Sequence, residues 1–196
     1  MKVELPDLVG YESLIDFIEK YKLYKLEGNI LEIGSFLGGG TVKLALLVEK
    51  YKKKVYTVDI FDPDVDLSVN TDGLSMSEIY NLILQGKKQL SLFKKVIEGF
   101  DNIIVIHKDS KDLTFRKEEK FFFTFIDGNH TPFYIWNDFK LSWNNTVSGG
   151  VVAFHDYRGD LPETTSAIEE IRDKYKKEIE RTEEIYEKKI LFLFKK

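Results

Sequence analysis

The sequence predicts an α/β fold, a doubly wound and mostly parallel sheet with an antiparallel strand at its C-terminal end. Short β-prone runs alternate with stretches whose apolar residues recur at helical spacing, and the runs are continuously apolar, as strands covered on both faces must be. The last two β-prone runs, by contrast, have only Glu187 and Lys188 between them, which is the spacing of a hairpin and too short for a helical crossover.

The first expected element is a helix over 11–26, where Leu14, Ile15, Phe17, Ile18, Tyr21 and Leu23 follow helical spacing and Gly28 lies just past the end. A strand at 29–33 (NILEI) stops at Gly34, and a helix over 41–51 (TVKLALLVEKY) follows the glycine-rich turn. Further strands are expected at 55–60 (VYTVDI), 103–107 (IIVIH), 121–126 (FFFTFI) and 151–154 (VVAF). A helix over 132–143, closed by Gly149 and Gly150, precedes the last of these. Another spans 162–177, and its lysine-rich end suits the helix dipole. Residues 182–186 (TEEIY) and 189–194 (KILFLF) form the hairpin. This order of strands and helices is Rossmann-like. Residues 61–100 exceed the usual connection of about two to six residues. Their first part (FDPDVDLSVNTDGLSM) is acidic and turn-rich and the rest, from Ser77, is helical, so they are expected to form an insertion lying over the site.

A chain of 196 residues suits one domain with one core, here 1–196. Hydrophobic residues at 43%, with charged residues at 32%, describe a packed protein and exclude a disordered one. The net charge of -4 leaves no basic footprint, so no nucleic acid partner is expected. With no cysteine, disulfides, thiolate zinc sites and cysteine nucleophiles are excluded. Acidic residues interrupt the N-terminal stretch where a signal peptide would be apolar. No run approaches the roughly 18 to 20 apolar residues that cross a bilayer. A cytoplasmic location without a membrane partner is therefore expected.

In a parallel α/β sheet, ligands bind beyond the carboxyl ends of the strands, near the point where strand order reverses. After the first strand come Glu32, Gly34, Ser35, Gly38, Gly39, Gly40 and Thr41 (LEIGSFLGGGT). Glycines there let the backbone approach a ligand, and the next helix presents free amides, which suits a nucleotide-like molecule. The spacing does not match the G-x-G-x-x-G of dinucleotide sites, because three other residues follow Gly34. An NAD-dependent dehydrogenase is accordingly disfavoured.

The pattern E-x-G-x-x-x-G-G-G-T resembles the first motif of class I S-adenosylmethionine-dependent methyltransferases. The resemblance implies that Glu32, Gly34, Ser35, Gly38, Gly40 and Thr41 lie at the methionine part of S-adenosyl-L-methionine. It further implies that Asp59, ending VYTVDI, accepts the ribose hydroxyls, and that Asp109 and Ser110 (VIHKDS) lie beside the adenine. A carboxylate can accept from two adjacent hydroxyls at once. The antiparallel C-terminal strand agrees with the same family.

Two more strand ends carry chemistry: IDGNH, with Asp127 and His130, and FHDY, with His155 and Asp156. Two carboxylates and two imidazoles delivered to adjacent strand ends, in a chain with only three histidines, point to a reaction centre. These segments resemble the small metal-dependent O-methyltransferases that act on macrolide sugars and catechol-like hydroxyls. The resemblance implies that Asp127, His155 and Asp156 hold a divalent metal, magnesium or manganese, with Asp127 also bordering the cofactor, and that His130 is the catalytic base. The imidazole at His155 departs from the usual oxygen donors and favours a softer metal than magnesium. His155 can alternatively orient water or substrate. A small-molecule acceptor is implied, and a homodimer would be in keeping with the group. The alternatives on the same fold are a cofactor-binding protein that does not methylate and a metal-dependent, hydroxylase-like enzyme that consumes no methyl group. Tyr134 and Trp136 are expected to pack, His107 to be structural, and Tyr157 and Arg158 to stand at the mouth of the site.

Overall fold

The computed structural model describes residues 9–196. The expected absence of an N-terminal leader therefore falls partly on residues outside those described. Among the described residues, seven strands form one sheet in the order β3-β2-β1-β4-β5-β7-β6. They are β1 (Asn29–Ile33), β2 (Val55–Asp59), β3 (Ile103–His107), β4 (Phe121–Ile126), β5 (Thr146–Phe154), β6 (Ile179–Ile185) and β7 (Ile190–Lys195). Strands β3, β2, β1, β4 and β5 pair in parallel. Only β7 runs against its neighbours, β5 on one side and β6 on the other. The chain first runs outward from β1 to β3 and then returns to lay β4 against the other side of β1. Strand order thus reverses between β1 and β4, where the loops part and leave a crevice.

The helices of the described residues are α1 (Glu12–Lys20), α2 (Gly39–Glu49), α3 (Met76–Leu84), α4 (Gln89–Val96), α5 (Pro132–Trp143) and α6 (Pro162–Lys174). The two-residue period of the strands divides the core between the faces. Ile30, Phe123, Phe125, Ala153, Phe192 and Phe194 join Leu14, Phe17, Val42 and Val48 of α1 and α2. Leu31, Ile33, Val152, Phe154, Leu191 and Leu193 join Ile135, Phe139, Trp143, Ile168 and Ile171 of α5 and α6. Phe17 stacks flat on Phe192, centroids 3.7 Å apart, which fixes α1 over the C-terminal strands.

Several expected boundaries move, each for a local reason. The first helix ends at Lys20; Lys22 takes a left-handed conformation and a 3-10 turn, Leu23–Lys25, completes the connection. Gly149 and Gly150 do not close α5 but lie within β5, where the pairing of β4 with β5 shifts register and Gly149 has φ +76°. Such a bulge is a second use of strand glycine. The tail hairpin turns through a 3-10 segment, Tyr186–Lys188, and left-handed Lys189, so its loop runs over 186–189 and is longer than the expected two residues. In the 61–100 segment, α3 and α4 are separate helices, divided by left-handed Gln85 and Gly86. A Ser75–Glu78 capping box starts the first of them. No helix among the described residues is long and apolar enough to cross a membrane.

Candidate active site at the β1 and β4 crevice

Two cavities meet above the strand ends. The first is bounded by the ends of β1 and β2, the turn after β3 and the insertion, and includes Gly34, Asp59, Asp109, Ser110, Asp127 and Tyr134. The second lies over the glycine turn and includes Ser35, Gly40, Met76, His130, His155 and Asp156. Gly34, Phe36, Tyr80 and Asp127 border both.

The turn after β1 is built around Asp59. The amides of Ser35 and Phe36 donate to its Oδ2 at 2.9 and 3.0 Å, the Ser35 hydroxyl does so at 3.1 Å, and the Phe61 amide donates to Oδ1 at 2.6 Å. Burial raises the Asp59 pKa, and those same donors oppose the rise. Gly34 has φ +89°, and a Cβ there would fall 2.1 Å from the carbonyl oxygen of Asp127, so the β1 and β4 loops can touch only through glycine. Left-handed Phe36, at φ +47°, is a strained residue held between these contacts.

Glu32, Gly38 and Thr41 do not line either cavity. Glu32 is 0% exposed and accepts from Tyr11 Oη at 2.9 Å and Thr41 Oγ1 at 2.6 Å, which ties α1 and α2 to β1 beneath the turn. Burial pushes its carboxyl up to about 7. Gly38 precedes α2 and packs on Phe93. All three support the turn from behind.

Beyond β3, Asp109 accepts from Lys111 Nζ at 2.6 Å and Tyr134 Oη at 2.9 Å. Burial favours a higher Asp109 pKa, but the Lys111 and Tyr134 bonds hold it below the usual range. Tyr134, expected to pack, also borders the cavity and bonds Asp109 through its hydroxyl. Buried Asp138 stands behind Ser110, its carboxyl pushed up to about 6 by desolvation.

Beyond β4 and β5, Asp127, His130 and Asp156 each offer a donor atom, all within 4.8 Å of one another. His155 Nδ1 lies 3.0 Å from both Asp127 Oδ1 and Asp156 Oδ2. His130 is 3% exposed; its Nδ1 lies 2.6 Å from Asp66 Oδ2. Its Nε2 is 2.8 Å from Asp156 Oδ2 and 3.7 Å from Asp127 Oδ1, yet no aligned hydrogen bond reaches that buried nitrogen. Burial would lower the pKa of both imidazoles. The carboxylates reverse this, raising His130 and taking His155 to about 10, while the two imidazoles depress Asp156 in spite of its own burial. In this form the imidazolium charges neutralise the acidic pair. A divalent cation can take the same place, since two carboxylate oxygens and one imidazole nitrogen are a plausible donor set and Nε2 is an orphaned buried atom facing them.

The two histidines differ in burial and partners. His130, expected as the free base, is committed at Nδ1 and turned at Nε2 toward the acidic pair, whereas His155, expected as a ligand, is the more exposed ring on the second cavity. Tyr157 is not at the mouth: it is fully buried and donates to Glu169, with Asp156 at φ +57° turning the chain inward. Arg158 is drawn away to Glu184 at 3.1 Å. His107 holds the Ile60 carbonyl at 3.0 Å, a structural contact as expected. Asp66 and Tyr80, which sequence reasoning missed, come from the insertion.

Residues 31–157 match the model of a family described as a methyltransferase domain. A search of curated proteins finds no match. Among solved structures, the O-methyltransferase NovP is similar at 15% identity and TM-score 0.73, over 94% of this chain and 78% of that one. CalS11, a TDP-rhamnose 3'-O-methyltransferase of calicheamicin biosynthesis, is similar at 13% identity and TM-score 0.62, over 93% and 77%. The S-adenosylhomocysteine-bound methyltransferase PaMTH1 of Podospora anserina is similar at 14% identity and TM-score 0.60, over 97% and 80%. These likenesses are in the fold.

Proposed function

The chain belongs to the methyltransferase-domain family, and on that premise we propose that it moves the methyl group of S-adenosylmethionine to a hydroxyl oxygen of a small molecule, with a divalent cation at the acidic pair. The observation that carries this reading is that Asp127 borders both cavities, so a ligand in one and an acceptor in the other would meet beside the carboxylate and imidazole cluster. The O-methyltransferases among the structural neighbours support oxygen as the nucleophile.

The first cavity suits the nucleoside part of the cofactor, with Asp59 at the ribose and Asp109 and Ser110 toward the base. Ser35, Gly34 and Gly40 border the second, where the methionine part would lie against the turn. Asp127, Asp156 and Nε2 of His130 would hold the cation. S-adenosylmethionine supplies an electrophilic methyl, and a divalent cation lowers the pKa of a hydroxyl bound to it. The chain's contribution is to align the two reactants, which can supply several kcal/mol, on the order of 7 to 11 at best. His155 accepts the hydroxyl proton at Nε2, since its Nδ1 faces both carboxylates. With those carboxylates uncompensated, His155 stays protonated and cannot act as a base, so its role requires their charge to be balanced.

The test is methyl transfer from labelled S-adenosylmethionine to a panel of catechol and sugar hydroxyls, with Mn2+, Mg2+ or a chelator. Asp127→Asn should abolish turnover and still bind S-adenosylhomocysteine. Calorimetry showing that neither sulfur compound binds the wild type would sink the reading.

A further inference from the structure

We propose that Asp66, carried by the insertion, is a positioning residue that holds His130 with its Nε2 lone pair turned into the Asp127 and Asp156 pair, completing a three-donor cation site. The inference rests on the cation half of the reading above and is independent of methyl transfer.

Asp66 is buried, at 3% exposure, and Oδ2 takes both the ring Nδ1 of His130 at 2.6 Å and its backbone amide at 3.3 Å. A neutral imidazole has one donor and one acceptor nitrogen. A carboxylate at Nδ1 therefore fixes the proton there and leaves the lone pair on Nε2. Nε2 faces two carboxylate oxygens, 2.8 and 3.7 Å away, with no aligned hydrogen-bond partner among the described residues. The three donor atoms span no more than 4.8 Å, a separation one ion can bridge.

The Asp66 carboxylate is held in place before any ion arrives. Oδ1 accepts from the Ser68 amide at 3.1 Å, and the Asp66 carbonyl accepts from the Ser77 amide at 2.9 Å, at the start of α3. From the other side, Asn129 Nδ2 donates to the Val65 carbonyl at 3.0 Å and Thr164 Oγ1 to the His130 carbonyl at 2.8 Å. Both partners are thus positioned by their own backbones. A carboxylate behind a ligating histidine sets the tautomer and raises ligand basicity, and losing one typically weakens metal binding about 10- to 100-fold. The donor set of one nitrogen and two carboxylates favours Mn2+ or Co2+ over Mg2+.

The experiment measures Mn2+ affinity by calorimetry, and the Co2+ visible spectrum, for the wild type, Asp66→Asn, Asp66→Ala and His130→Gln. Asp66→Ala should weaken Mn2+ binding about 10- to 100-fold and alter the Co2+ spectrum, His130→Gln should do at least as much, and Asp66→Asn, which can still accept from Nδ1, should fall between. Wild-type affinity and spectrum in both Asp66 variants would overturn the proposal, as would a wild type that binds neither ion. Should Asp66→Ala fail to fold, two-bond nitrogen correlation spectra of wild-type protein with labelled histidine decide. Protonated Nδ1 with Nε2 shifting on Zn2+ addition supports the inference, and a shift at Nδ1 or none at all overturns it. Methyl transfer persisting without cation binding would defeat this inference and leave the cofactor reading intact.

Discussion

The ring of Tyr11 lies so close over Gly40 that a Cβ on the glycine would fall 2.2 Å from Tyr11 Cζ. Tyr11 precedes α1 and Gly40 lies in the first turn of α2, so this contact seats the N-terminal helix on the glycine turn. Gly40 is helical, and in open space an alanine there would add roughly 0.5–1 kcal/mol of stability. Here the ring must move, so Gly40→Ala should instead cost about 1–3 kcal/mol and weaken S-adenosylhomocysteine binding. Urea unfolding and calorimetry read both effects, and a stabilised variant with unchanged affinity would refute the contact.

Beneath that contact, Glu32 gives the protein a pH-dependent stability. Its ordinary carboxyl pKa is 4.5 and in the fold it is about 7, because burial disfavours the charge. A folded pKa above the unfolded one means that the Glu32 contribution is complete below pH 4.5 and declines as pH rises through about 7. The span amounts to on the order of 3 kcal/mol at 1.36 kcal/mol per unit. Glu32→Gln should therefore gain on the wild type between pH 5 and 8 in denaturant melts. Parallel curves would mean that Glu32 is not the titrating group. Asp59 and Asp138 move in the same direction, which is why the comparison is made with the single variant.

Asp59 serves the turn and the ligand at once. Removing its carboxylate strands the Ser35 and Phe36 amides and frees the left-handed Phe36. Asp59→Ala is expected to cost about 1–3 kcal/mol for each donor left without a partner and to abolish S-adenosylhomocysteine binding. Loss of affinity with unchanged stability would show that the amides find water instead.

Much of the fold could be read in advance because strands such as FFFTFI are buried on both faces and carry no competing helical period. Asp127, His155 and Asp156 were legible because strand ends point toward the crevice whatever the loops do. Asp66 was not, because Asp62, Asp64 and Asp66 alternate with Pro63, Val65 and Leu67 and no local period marks which carboxylate turns inward. Only the contact with His130, 64 positions away, singles it out. Gly149 and Tyr157 misled for a related reason. Glycine marks bulges as well as helix ends, and one left-handed residue, Asp156, sends the next ring into the core.

His130 and His155 face the same acidic pair, yet they should fail differently when replaced. His130 has both ring nitrogens engaged in the cluster, one with Asp66 and one facing Asp127 and Asp156, so His130→Gln removes a donor to the cation. His155 meets the carboxylates through Nδ1 and is the more exposed ring, with 16% of its side chain accessible against 3%. His155→Gln therefore leaves three donors in place and removes the group positioned to take a proton. Its kcat should drop about 10²- to 10⁴-fold, the usual range for a lost general base, with Mn2+ affinity close to wild type and the acidic limb of the pH-rate profile abolished. In His130→Gln the main loss should be in Mn2+ affinity, with turnover partly recovered at high Mn2+. Were the two variants to show the reverse pattern, the roles inferred from their burial and partners would have to be exchanged, with His130 as the base.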